Sequence, residues 1–151
     1  MSAVNLFEIE LARDEDEPSG YGASYARVGP LVGGGQLGMS VYELEPGLSI
    51  CPYHYETAEE EWLIVLTGRP TLRTPEGERE LEPWDCVFFP TGEEGAHKVT
   101  NRTDVPVRVC IWSNRVAVAT SVYPDSEKVG AWPPGKLFRL ADAVDYFDGE
   151  P

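Results

Sequence analysis

Pro52-Tyr-His54-Tyr-Glu56-Thr-Ala-Glu59-Glu60-Glu61-Trp62-Leu-Ile-Val-Leu66-Thr-Gly68 decides how this chain reads. Side chains two apart in a strand point the same way, so His54 and Glu56 share one face and Tyr53 and Tyr55 the other. A turn over residues 57–60 then lets Glu61, opening the next strand, face the same interior. Glu59 and Glu60 are left to solvent or the rim. Trp62 to Leu66 has no polar residue on either side. Such a strand is expected to be buried on both faces, as a barrel wall that also packs against another sheet or subunit. A glutamate at its mouth is costly to bury ionised unless something positive compensates it, and a divalent cation would.

The protein has two histidines. The second lies in Trp84-Asp-Cys86-Val-Phe88-Phe89-Pro90-Thr-Gly92-Glu93-Glu94-Gly95-Ala-His97-Lys-Val-Thr-Asn101. If the two stretches meet, His97 supplies a ligand from across the barrel to join His54, Glu56 and Glu61. Neutral imidazole and carboxylate donors suit Zn, Fe, Mn, Co or Ni. On these residues alone another reading stands beside the metal: hydrogen-bonded core histidines and a solvated glutamate run.

Outward from these stretches, the chain reads as short strands separated by Gly, Pro and Asp turns. Leu37–Glu45, Ser49–Glu56, Glu61–Thr67, Thr71–Thr74, Glu78–Leu81, Cys86–Phe89, His97–Thr100, Val105–Ser113 and Arg115–Tyr123 are the strands. The fold class is therefore all-β, an antiparallel sandwich or barrel. Residues 36–122 form the barrel. Residues 1–35 supply an N-terminal strand, Val4 to Leu11, and an acidic loop packing on it. Residues 123–151 are a tail, set off by Pro133-Pro134-Gly135 and helical around 140–147.

The length predicts one domain. A net charge of −14 repels phosphate backbones and anionic membrane faces, so neither nucleic acid nor membrane is an expected partner. Cys51, Cys86 and Cys110 are widely spaced with no CxxC, as expected for reduced thiols in a cytoplasmic protein. The opening residues lack the basic and apolar regions of a secretory signal.

The two stretches resemble the paired motifs of the cupin superfamily. Gly47, six residues, His54-Tyr-Glu56, four residues, Glu61, six residues and Gly68 match the first motif. Trp84, five residues, Pro90-Thr-Gly92, four residues, His97, three residues and Asn101 match the second. The ends of the chain look like those of a bacterial subgroup of small single-domain cupins. The resemblance implies a double-stranded β-helix barrel, a homodimer, and a metal held by His54, Glu61 and His97. Glu56 stands where the family has a further histidine. It would make a harder, more anionic site, favouring Mn or Fe(II) over Zn or Ni. Trp84 replaces a motif glycine and predicts a different turn there.

The resulting expectation is a metal-dependent enzyme on a small polar molecule, of isomerase or oxygenase type. Glu56 would be a ligand or the catalytic general base. The alternative is a non-catalytic small-ligand binding or sensing module whose metal site has degenerated. Tyr42, Tyr53, Tyr55, Phe88, Phe89 and Trp112 are candidate pocket residues, and Arg73 and Arg108 candidate anion binders. Each has a plainer role, in the core or on an exposed strand.

Overall fold

The computed structural model describes residues 2–14 and 16–151. Among the described residues the strands are β1 Ser24–Arg27, β2 Leu37–Leu44, β3 Tyr55–Glu56, β4 Glu61–Thr67, β5 Thr71–Thr74, β6 Gly77–Glu80, β7 Cys86–Phe89, β8 Lys98–Thr100, β9 Val107–Asn114, β10 Ala119–Tyr123, β11 Lys128–Trp132 and β12 Lys136–Arg139. They form a five-stranded sheet β1-β2-β9-β4-β7, a four-stranded sheet β12-β11-β10-β3 and a three-stranded sheet β6-β5-β8. Every strand pairing is antiparallel, as the short strands and tight turns predict. None of the described helices is long and apolar enough to cross a membrane.

The core has two parts. Leu44, Leu63, Val65, Leu72, Phe89, Val99, Val107 and Val109 fill the barrel. Val28, Val41, Leu66 and Cys110 form a second cluster on the other side of the five-stranded sheet. The doubly buried reading of β4 therefore holds for its second half. The covering layer comes from this same chain: Leu6, Ile9 and Leu11, with Val28 of the short helix α1 (Val28–Val32). Trp62, at the start of β4, stays 40% exposed beside Phe88 and Trp112.

Several local expectations differ from the structure, among them the strand over Ser49–Glu56, which is regular only at Tyr55–Glu56. Val4 to Leu11 is not a strand: Asn5 Oδ1 accepts from the Phe7 N–H and its carbonyl from the Glu8 N–H, bending the chain into a turn. Residues 128–139 are a hairpin, β11 and β12, that extends the sheet beyond residue 122. The helix expected over 140–147 is reduced to one 3-10 turn, Leu140–Asp142. Val144, Tyr146 and Phe147 are largely exposed, so no packing stabilises so short a helix.

Candidate metal centre

The two motif stretches meet backbone to backbone. His54 N–H donates to the His97 carbonyl at 3.2 Å, and His97 N–H to that of His54 at 2.8 Å. This antiparallel bridge sets the imidazole centroids 4.8 Å apart. Glu61, first residue of β4, is paired with Ser113 on one side and Phe89 on the other, and its carboxylate converges on both imidazoles. One donor atom each from His54, Glu61 and His97 lies within 4.8 Å of the others.

Both imidazoles are fixed in the same sense. His54 Nδ1 donates to the Pro52 carbonyl at 3.0 Å, and His97 Nδ1 to the Gly95 carbonyl at 2.9 Å. Each Nε2 is then the free lone pair, the arrangement that a metal-binding histidine uses. The rings are held flat by neighbours: Phe89 stacks on His97 at 3.8 Å and Tyr123 on His54 at 5.8 Å. Gly95 is needed where it is, because a Cβ there would sit 1.7 Å from the Pro90 oxygen.

Glu61 Oε2 is buried with no hydrogen-bond partner, 3.6 Å from His97 Nε2. Burial raises the Glu61 carboxyl from its ordinary value to about 7, helped by the negative charge of Glu56 and Glu59. Burial lowers His97 to about 4, helped by His54. His54 is lowered too, by burial, against the pull of Glu56. Close as they are, Glu61 and His97 are both pushed toward their neutral forms, with desolvation the leading cause for each. A metal ion in their midst would reverse this for Glu61 alone, favouring an ionised carboxylate beside neutral imidazoles. The residues fit such an ion.

Glu56 stands beside this group without joining it. Its Oε1 is 3.8 Å from His54 Nε2 and accepts the Ser121 hydroxyl at 2.6 Å. Ser121 Oγ in turn accepts from Trp132 Nε1 at 3.0 Å. Ser121, Tyr123, Trp132 and Gly95 are site residues that the sequence reading did not reach. Of the aromatic candidates, Tyr42 and Phe89 pack with the barrel interior. Tyr53 lies under the Arg73 guanidinium, and Phe88 and Trp112 flank Trp62. Neither candidate arginine faces the site: Arg73 pairs with Asp125, and Arg108 with Glu43 and the Leu6 and Phe7 carbonyls. Glu59 is at the rim, accepting from the Val116 N–H. Cys51 lies near His54 Nδ1, and burial and then Glu61 raise its thiol to about 12, which disfavours the thiolate a nucleophile needs.

A family model described as the cupin domain matches residues 40–114. Among solved structures, a sugar phosphate isomerase of the cupin superfamily from Silicibacter pomeroyi shares 27% identity with a TM-score of 0.83, over 97% of this chain and 98% of that one. A protein from Acidithiobacillus ferrooxidans shares 24% identity with a TM-score of 0.84, over 96% of this chain and 94% of that one. A cupin 2 conserved barrel domain protein from Salinispora arenicola shares 24% with a TM-score of 0.60, over 78% of this chain and 91% of that one. None of the curated proteins compared with the chain matches it.

Proposed function

This chain is a cupin-domain protein, and from that premise we propose that it is a metal-dependent enzyme that isomerises a small polar molecule of the sugar-phosphate kind. The observation that carries the metal is Glu61 Oε2, buried without a partner beside His97 Nε2. His54 and His97 would hold the ion through Nε2 and Glu61 through its carboxylate. The donor set favours Mn or Fe(II), with Zn and Ni also able to bind. When bound there, the ion would polarise a substrate oxygen as a Lewis acid.

Glu56 takes the general-base role: it removes the proton from the hydroxyl-bearing carbon beside the carbonyl and returns it to the carbonyl carbon, while the hydroxyl proton passes to the former carbonyl oxygen. Phe89 and Tyr123, stacked on the two imidazoles, wall the site with apolar surface. Likeness over nearly the whole chain to the Silicibacter sugar phosphate isomerase favours isomerisation over oxygen chemistry. We assign the working form as a cytoplasmic homodimer. Its second copy would sit on the exposed Trp62 and Phe88 surface.

Metal analysis of untagged protein purified without chelator is expected to find stoichiometric Mn or Fe, lost in His97→Ala. A panel of aldose and ketose phosphates in deuterated water is then expected to show deuterium entering one of them at carbon, and not in Glu56→Gln. Metal-free protein whose thermal midpoint ignores added Mn, Fe, Zn and Ni would sink the enzyme and leave a ligand-binding module. Light scattering at micromolar concentration should give twice the chain mass of 16.7 kDa, and a monomer refutes the dimer.

A further inference from the structure

The pairing register wires the C-terminal hairpin to Glu56. Ser121 of β10 is opposite Glu56 of β3 on one side and Gly130 of β11 on the other. Cross-strand partners point to the same side of a sheet, so Glu56, Ser121 and position 130 form one row. Trp132, two residues beyond Gly130, points to that side as well. Its indole folds back over Gly130, where a Cβ would lie 3.1 Å from Nε1 and 3.2 Å from Cζ2. The missing side chain makes the room. Nε1 thereby reaches Ser121 Oγ at 3.0 Å, and Ser121 Oγ reaches Glu56 Oε1 at 2.6 Å.

This chain of hydrogen bonds can run in only one direction. An indole N–H donates and cannot accept. The Ser121 oxygen must therefore accept from Trp132, which directs its own hydrogen to Glu56. Ser121 is 4% exposed, so bulk water does not compete for it. Hydroxyl-to-carboxylate bonds of this length are among the stronger hydrogen bonds in proteins.

We propose that Trp132 and Ser121 are positioning residues that hold the Glu56 carboxylate off the His54, Glu61 and His97 group, making it a base and not a fourth ligand. This rests on the metal reading above. With its Oε1 engaged by Ser121, Glu56 stays beside His54 and keeps its proton-accepting role. A hairpin outside both motif stretches thus sets the role of the residue that departs from the motif.

Two measurements decide it, one of them independent of metal. In metal-free protein, denaturant midpoints of Trp132→Phe, Glu56→Gln and the double variant are expected to be non-additive, because both changes act through Ser121. Additive midpoints overturn the relay, whatever the protein does with metals. In Co(II)-loaded protein, Glu56→Gln is expected to leave the visible bands unchanged. Ser121→Ala is expected to shift them as the freed carboxylate coordinates. Glu56→Gln added to Ser121→Ala should remove that shift, and Ser121→Thr, which keeps the hydroxyl, should not produce it. A wild-type spectrum that moves in Glu56→Gln, or one that stays put in Ser121→Ala, overturns the withheld carboxylate. Failure of Co(II) to bind refutes the metal reading and with it the withheld carboxylate, and the midpoints alone then decide the relay.

Discussion

Trp84 has a φ of 75°, a left-handed backbone in a residue with a large side chain. Tryptophan resists that conformation, so a different turn is expected in place of the motif glycine's. The structure keeps the conformation, held by the Trp84 N–H to the Val65 carbonyl at 2.8 Å. The indole gains little in return, being 67% exposed. Trp84→Gly should therefore stabilise the fold by about 1 kcal/mol, the relief of left-handed strain less what little the indole packs. Urea unfolding checks it, and a destabilised variant would mean that the indole is covered in solution. Glu61 was legible without a structure, since a carboxylate opening an apolar strand needs an explanation. Ser121 and Trp132 were not. Their importance arises from a register joining residues 65 apart in sequence, and nothing local marks a serine in a strand as the partner of a distant glutamate.

Strands were legible where alternation and turn residues agree, as in β2, β4, β5 and β9. The β11–β12 hairpin was not, because Gly130 and the Pro133-Pro134-Gly135 turn read as the end of regular structure. The N-terminal segment misled in the opposite way: its apolar alternation is real, but Leu6, Ile9 and Leu11 are used in packing without a ladder. What ties that segment down is Arg108 of β9. Its guanidinium donates to the Leu6 and Phe7 carbonyls at 3.2 and 2.9 Å, and to Glu43 at 2.6 Å. The side chain is 14% exposed, so these bonds are partly shielded from water. Arg108→Ala should cost about 2 kcal/mol, combining lost charged hydrogen bonds with a half-buried Glu43 left unpaired. Hydrogen exchange should quicken first in residues 6–12 and in α1, with the barrel strands little changed. Uniform loss of protection would show that the segment folds as one unit with the barrel.

For the whole molecule, a net charge of −14 opposes each further buried negative charge that nothing compensates, and the site residues concentrate the problem. Burial, then Glu56 and Glu59, act against ionising Glu61, whose carboxyl is raised to about 7. A raised acid stabilises the fold fully below its unfolded value, and that stabilisation is lost as pH rises through about 7. His97 has the opposite sense: with its value lowered to about 4, its contribution is present above the ordinary histidine range and lost as pH falls through about 4. In metal-free protein these two titrations oppose each other across mildly acidic pH and flatten the stability profile. Glu61→Gln removes one of them. After chelation, the variant should match the wild type near pH 4, then gain on it with rising pH, by roughly 2–3 kcal/mol above pH 7. Added Mn or Fe(II) should invert the order at neutral pH, because the metal stabilises only the chain that still has the Glu61 carboxylate. Urea midpoints measured at several pH values, with and without metal, test both halves. A difference between the two proteins that does not change with pH would mean that Glu61 is ionised in the folded apo-protein and already has a partner.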